Sequence, residues 1–503
     1  MIRLYDTKLH RKVDFTPLEH GTVKMYVCGP TVYNYIHIGN ARTFMSFDMI
    51  RRYLEWRGFK VLFVQNVTDV DDKIINKANE EGRTAAEVAA EFTKAFIDDM
   101  HAVGVKDPTV RPKATEEIDT MIALVEKLIE TGHAYATEDG DVYFSVRSYP
   151  GYGALSGRNV DEMESGHREL RTEGIEDRKR DPLDFAVWKA AKPGEPAWES
   201  PWGQGRPGWH IECSCMSQKY LGLPFDIHGG GADLIFPHHE NERAQSEAAT
   251  GREFAHHWMH GGMLQINGEK MSKSLNNFFL LRDILETVDA NDLRFLMLQT
   301  HYRSPLDFSD ERVEEAGVAL ERIRNAVKNL DWACENATGE ADVLEPDDVK
   351  KLTRDVLVGY IEAMDDDFNS PKALGILFDF VAQANALVAG ATLSAADAEL
   401  VADVRARIVE LLAVLGVDLA AEAEAAAAAG PAYPPEVIDL AAELAGFAGE
   451  DAEAAVEALL AARAEARSQK NWALADAVRD RLGALGFTIM DTPQGARVEF
   501  NAG

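Results

Sequence analysis

Residues 22–67 constrain the fold more than any other stretch. "TVKMYVC" (22–28) is rich in strand formers and ends at the turn "GPT". Ala41–Trp56 then carries Phe44, Phe47, Met49, Ile50, Tyr53 and Leu54 at helical spacing, Gly58 stops it, and "KVLFVQNV" from Lys60 to Val67 reads as a buried strand. A strand, a helix and a strand in that order predict a parallel α/β unit with its ligand loop at the end of the first strand. The 503 residues exceed what one core usually holds, about 250–300, so two or more domains are expected.

Composition excludes several classes. Apolar stretches are short and interrupted by charge, which argues against a membrane span, and no apolar run follows the basic residues of "MIRLYDTKLHRKVDF", so no secretory signal is read. Four cysteines in so long a chain make no disulfide scaffold and point to thiols in a reducing cytoplasm, some available to metal. The net charge of −32 opposes broad non-specific binding of nucleic acid. A local basic track stays compatible with it, and the nine acids against Arg405 and Arg407 in 401–450 read as a solvated helical face.

Along the chain, 1–113 and 206–265 are expected to form one nucleotide-binding sheet, with 114–205 inserted between its halves. Residues 266–309 follow, 310–419 are helical throughout, and 420–436 is a linker where Gly-Pro and Pro-Pro end an alanine run. Residues 437–503 form a small separate domain.

Four dispersed motifs carry the chemistry. "HIGN" (His37–Asn40) leads into a helix, whose N-terminus favours phosphate, with a glycine that permits close approach. "KMSKS" brings Lys270 and Lys273 on a loop preceded by Asn267-Gly268, suited to closing over a triphosphate and neutralising charge at its α-phosphate. Each alone reads as a surface turn; together they favour a nucleotide site. In "FPHHENE", His238 and Glu242 share a helical face while His239 and Glu240 are expected to point elsewhere. Cys28 ends the first strand, and Cys213 follows "GWHIE", read as a short strand-like piece. Taken singly, each of Cys28, Cys213, His238 and Glu242 is an ordinary buried residue. As a set they suit Zn²⁺. Because Cys28 lies just before the phosphate loop, the metal would sit beside a reacting carboxyl and accept a substrate thiolate. A site built for sulfur can reject a hydroxyl analogue by about 10⁴–10⁵ without editing.

"GRPGWHIECS", "FPHHENE" and "KMSKS" make the chain resemble the bacterial cysteinyl-tRNA synthetases over essentially its whole length. The resemblance implies a Rossmann-like class I synthetase catalytic domain with an insertion, a helical bundle and a small C-terminal anticodon-binding domain, an α/β fold overall. It implies that Cys28, Cys213, His238 and Glu242 hold one zinc, that His37, Asn40 and Lys273 serve ATP with Mg²⁺, and that Gly229, Gly230, Gly231 and Asp233 meet the adenosine. It places Trp209 and Thr68 at the cysteine, and Arg467, Trp472, Asp476 and Asp491 at the anticodon. L-cysteine, ATP and tRNA(Cys) are the implied partners of a cytoplasmic monomer. Asn40 stands where a second histidine is usual, a variant the family tolerates. Cys215, two residues from Cys213, stays open as a competing ligand. In the tail, Arg463, Arg467, Lys470, Arg479 and Arg481 read as a helix-pair track around Trp472, suited to phosphates and an unpaired base.

Two other readings are weaker. A cysteine ligase of mycothiol synthesis, with an amino-sugar acceptor, shares the catalytic half but lacks a tail like that after about residue 436. A non-catalytic RNA-binding relative with structural zinc should have lost HIGN or KMSKS. On this reading Lys273→Ala slows adenylate formation by orders of magnitude while zinc stays bound; pyrophosphate exchange together with metal analysis checks it, and lost zinc would remove the role.

Overall fold

A computed structural model describes residues 1–160, 162, 178–266, 268–270, 278–429, 433–492 and 495–500. It divides into two compact units, one of Met1–Glu321, Leu357–Ile376 and Val414–Val417, the other of Arg322–Val356, Leu377–Ala413 and the chain from Asp418 onward. Stretches far apart in sequence thus share a unit.

The first unit is organised by four parallel strands, β1 (Thr22–Val27), β2 (Lys60–Val64), β3 (Phe225–Gly231) and β4 (Ala255–Gly261), in the spatial order β4-β3-β1-β2. Val23, Met25, Tyr26 and Val27 of β1 are all buried, as the near-continuous apolar run of a two-sided parallel sheet requires. Helix α1 (Ile38–Trp56) connects β1 to β2. It begins three residues before the predicted Ala41, because His37 caps it. Asn40 N donates to His37 Nδ1 at 3.1 Å, and His37 N donates to Asn40 Oδ1 at 3.4 Å, a reciprocal capping box. Asn40 therefore has a local reason to be asparagine.

The expected insertion carries a helix, Ile118–Glu130, and a four-stranded antiparallel sheet of Ala134–Ala136, Val142–Phe144, Phe185–Ala190 and Gly205–Pro207. The segment after it differs from the strand expected. "GWHIE" is not strand-like: Trp209 starts helix α2 (Trp209–Leu221), on which Ile211, Cys213, Cys215 and Met216 are buried. A five-residue alternation fits either period; buried Ile211, Cys215 and Met216 in the longer window give the helical one, and Gly208 sets where the helix can start. Its N–H donates to Val187 O at 3.0 Å, and a Cβ there would lie 2.1 Å from Ala186 O. Only glycine lets the start of α2 press so closely on that strand. A kinked turn, Ile235–His239, with Phe236 extended at φ −141° and ψ 131°, then runs into α3 (Glu240–Thr250).

Helices follow at Asp310–Glu335, Pro346–Asp365, Ser370–Val388, Ala395–Val414 and Leu419–Ala429. The last lies where a linker was expected from residue 420: the alanines continue the helix to 429 by their intrinsic preference, and 430–432 fall outside the described residues. The C-terminal segment packs Glu436–Ala445, Ala452–Ser468 and Trp472–Ala484 with the hairpin Phe487–Thr492/Gly495–Phe500 around Val437, Leu440, Leu459, Val478, Leu482 and Phe487. Among the described residues no helix is long and apolar enough to cross a membrane.

Gly229 tests how tightly β3 is held. A Cβ there would lie 2.4 Å from the Phe47 ring of α1, so Gly229→Ala should lower unfolding stability by about 1–3 kcal/mol. Urea titration checks this, and an unchanged midpoint would show that Phe47 yields freely.

Candidate metal centre and nucleotide cleft

β1 and β3 are neighbours whose connections leave in opposite directions, so their C-terminal ends open a crevice between them. Cys28, the residue after β1, donates its N–H to Gly229 O at 3.2 Å, which fixes the thiol at the crevice floor. α2 brings Cys213 from one side, its Sγ 3.7 Å from that of Cys28. The turn before α3 brings His238, and α3 itself Glu242; His238 Nε2 lies 2.9 Å from Glu242 Oε1, which is 3.4 Å from Cys28 Sγ. All four residues are buried.

The histidine expected to point away does not. His239 Nε2 lies 3.3 Å from Cys28 Sγ, on a segment kinked at the extended Phe236 rather than on a regular helix. Glu240 does point elsewhere, accepting from the N–H groups of Leu155 and Ser156 and from Ser156 Oγ. His228, which the sequence reading missed, sits 2.8 Å from Glu242 Oε2. Its signal was the two-residue period of β3, which puts it beside Tyr26 of β1, one strand over and two residues before Cys28. Two overlapping sets have ligand atoms within 4.8 Å of one another, Cys28/Cys213/His238/Glu242 and Cys28/His228/His239/Glu242. Cys215 belongs to neither, and burial with the Glu117 charge pushes its thiol up to about 12.

Electrostatics match a cation-binding floor. Burial opposes ionisation of Glu242, yet His228 and His238 hold it well below the usual carboxylate range. Burial likewise opposes charge on His238, but Glu242 and a hydrogen bond to Cys213 raise it to about 10. Cys213 falls to about 6, its burial overcome by hydrogen bonds from Cys28 and His238, while burial drives Cys28 up. One carboxylate, one ready thiolate and several imidazoles converge here, ligand types that suit zinc.

Above this floor lies a cleft of about 340 Å³, lined by Cys28, His37, Asn40, Thr43, Trp209, Gly231, Asp233 and Phe278, among others. Trp209 stacks on His238, ring centroids 4.2 Å apart, and is 37% exposed. Thr68 is buried behind the cleft wall and donates to Glu212 Oε2 at 2.7 Å. Gly229 and Gly230 are buried as well; a Cβ at Gly230 would meet His239 at 2.8 Å, so their smallness serves packing. Lys270 lies in strand Glu269–Lys270, paired with Leu264–Ile266, and Lys273 lies outside the described residues. A larger cavity, about 450 Å³, between helix Ala85–Ala102 and Trp198 contains none of the motif residues.

Residues 14–318 match the family model "tRNA synthetases class I (C) catalytic domain", 359–420 a "DALR domain", and 450–498 the "Cysteinyl-tRNA ligase anticodon binding domain". The cysteine–tRNA ligase of Carboxydothermus hydrogenoformans is 48% identical over 496 residues, 99% of each chain. The chain belongs to the cysteinyl-tRNA synthetase family. That of Caldicellulosiruptor saccharolyticus is 46% identical over 498 residues, again 99% of each. The fold is similar to Mycobacterium tuberculosis methionyl-tRNA synthetase in complex with methionyl-adenylate, with a TM-score of 0.56 at 15% identity, covering 78% of this chain and 90% of that one. The class I synthetase architecture expected from the motifs is therefore the observed one.

In the segment matching the anticodon-binding domain, Trp472 opens its helix and is 58% exposed, while Val478 and Leu482 enter the core. Asp491 accepts from Arg463 at 2.7 and 2.9 Å and pairs with Arg467 at 2.5 Å, so hydrogen bonding to Arg463 leads in holding its carboxyl down at about 2. Asp476 pairs with Arg479 at 3.2 Å.

Beneath the metal-binding floor, His239 Nδ1 meets His260 Nε2 at 2.8 Å, and His260 Nδ1 meets Thr7 Oγ1 at 2.8 Å. Burial first, then the His228 charge, hold His260 down at about 3. An unfolded histidine titrates near 6.5, so as pH falls from about 6.5 towards 3 the unfolded chain takes a proton that the native site refuses. The stability His260 contributes is complete above that window and lost through it. His260→Gln should therefore flatten the acid limb of unfolding free energy by up to about 1.4 kcal/mol per pH unit; an unchanged slope between pH 6.5 and 5 would show that His260 is protonated in the native state.

Proposed function

We propose that this chain charges tRNA(Cys) with L-cysteine in two steps, through a cysteinyl-adenylate, as a monomer in the cytoplasm. What carries the reading is one juxtaposition: Cys28, Cys213, His238 and Glu242 converge at the floor of the cleft whose rim is the His37-capped end of α1.

The first of the two overlapping sets is the zinc site. It joins both thiols to one imidazole and one carboxylate, and His238 within it supports Trp209 at the cleft surface. When bound there, zinc supplies a soft Lewis acid that favours a substrate thiolate over a serine hydroxyl. Trp209 and Cys28 shape the side-chain pocket beside it. Thr68 acts one layer back: Gly29 N donates to Asn66 Oδ1 at 2.9 Å, and Asn66 Nδ2 donates to Thr68 Oγ1 at 3.3 Å, so Thr68 steadies the loop after Cys28.

The cysteine carboxylate attacks the α-phosphorus of ATP, forming the acyl–phosphate bond as the bond to pyrophosphate breaks. Because His37 Nδ1 accepts from Asn40 N, its ring proton sits on Nε2, which donates towards phosphate oxygens next to the positive end of α1. Lys270 and Lys273 neutralise the charge that develops, Mg²⁺ accompanies the triphosphate, and Gly231 with Asp233 receives the adenosine. In the second step the 2′-hydroxyl of the terminal adenosine attacks the activated carbonyl and AMP leaves.

Arg467, Trp472, Asp476 and Asp491 serve the anticodon. The exposed Trp472 stacks on a base, whereas Asp491 orients Arg463 and Arg467. The match of 450–498 to an anticodon-binding domain weighs against an amino-sugar acceptor and the mycothiol reading.

Incubating total tRNA with labelled cysteine, ATP and Mg²⁺ should give base-labile label that cold cysteine, and not serine, competes away. Adenylate without charged tRNA would remove the RNA half of the reading. Metal analysis separates the two candidate sets: His238→Asn should lose zinc and charge at least about 100-fold more slowly, beyond the 10–100-fold typical of a residue that merely supports a ligand, while His239→Asn keeps its zinc. The opposite result would move the metal to the second set.

A further inference from the structure

Arg42 is among the most deeply buried charged side chains of the molecule, 2% exposed, on the second turn of α1 and five residues after His37. Among the described residues no carboxylate lies within ion-pair distance of it. Its guanidinium instead donates to four backbone carbonyls: Gly262 O at 3.0 Å, Met263 O at 2.8 Å, His301 O at 3.4 Å and Ser304 O at 2.5 Å. Burying a cation without a counter-charge is costly, and packing needs in this place would be met by an apolar residue. Burial lowers the group only to about 10, so it stays charged at neutral pH.

Of the two segments it grips, one leads into the hairpin that ends at Lys270 and the other into the strand beside that hairpin. Gly262 and Met263 lead from β4 into strand Leu264–Ile266, which pairs antiparallel with Glu269–Lys270 and parallel with Leu306–Phe308. The backbones already press together here: Gly262 N donates to Tyr302 O at 2.7 Å, and a Cβ on Gly262 would lie 2.3 Å from Ser304 O. Gly262 and Met263 also line the cleft with His37 and Asn40. Arg42 therefore ties the helix that carries HIGN to the root of the hairpin that ends at Lys270, with one planar fork bonded to both segments.

We propose that Arg42 is a positioning residue for the first step, setting the spacing between the two phosphate-binding motifs so that both meet the same triphosphate. The proposal rests on the synthetase reading above. Misplacing reacting groups by about 1 Å can cost 10²-fold. Arg42→Gln should therefore slow cysteine-dependent pyrophosphate exchange about 100-fold and raise the KM for ATP. Zinc content, the KM for cysteine and single-turnover transfer from preformed cysteinyl-adenylate to tRNA should stay within about 2-fold, because the lysine loop serves the triphosphate. Arg42→Lys keeps the charge but loses the fork; it should be intermediate, and it serves the test if Arg42→Gln does not fold.

A folded variant with unchanged exchange, or equal losses in both steps with a lowered Tm, would overturn the proposal and leave Arg42 a structural residue. Absence of cysteine-dependent exchange in the unsubstituted protein would instead overturn the synthetase reading.

Discussion

The catalytic unit depends on β1 and β3 lying side by side, with their ends flush at Cys28 and Gly229. Cys28 and Cys213 are 185 residues apart, and this contact is what makes one site of them. The approach is close enough to exclude side chains. A Cβ on Gly29 would fall 1.7 Å from Asn66 O, and one on Gly229 would strike Phe47. Helix α1 crosses at Gly229 and the loop after β2 at Gly29, so these two glycines first permit sheet, helix and loop to meet. Only then is there a cleft with α1's N-terminus on its rim and the thiols beneath.

What this contact brings together would be unfavourable as an ordinary core. Glu242 is fully buried between His228 and His238, with Cys28 and Cys213 beside it. A buried carboxylate is tolerated only where its charge is answered. Here His238 answers it with a proton, and Cys213 becomes the second anion of the group. Exchanging that proton for a dication would satisfy both anions at once, which is why the donor set reads as a metal site more convincingly than as an ion-pair core.

Much of this was legible in the sequence where local physics decides. β1, α1 and β2 followed from composition and period, and HIGN was placed at a helix start because its turn chemistry is local. Misreadings arose where tertiary contact decides. "GWHIE" alternates like a strand, but it opens a helix whose N-cap, Gly208, is pressed against Ala186. His239 was turned away by assuming a regular helix, but the chain is kinked at Phe236 just before it and His239 lies against Cys28. His228 lay in a glycine-rich strand end with no motif partner nearby in sequence. The partners of Asp491 were not legible either: Arg463 and Arg467 lie on helix Ala452–Ser468, far in sequence from its strand.

The discontinuous first unit has a similar origin in buried polar contacts. Asp367, fully buried, accepts from Tyr5 N at 2.8 Å and Tyr302 Oη at 2.9 Å, and pairs with Arg303. Arg294 pairs with Asp48 of α1 and donates to Val103 O and Leu415 O at 3.0 and 3.1 Å. A Cβ at Gly416 would fall 2.1 Å from that guanidinium. These anchors draw Leu357–Ile376 and Val414–Val417 into the catalytic unit, because each supplies a partner that a buried charge there could not otherwise find. Arg42 is the exception that clarifies the pattern. Arg294 and Arg303 have carboxylates and fasten distant chain, while Arg42 has only carbonyls and fastens the two segments next to the cleft. A carboxylate at Arg42 would pull its fork to one side; four carbonyls from two segments hold it between them. That is the arrangement expected where the spacing between the segments, more than their mere association, has to be fixed.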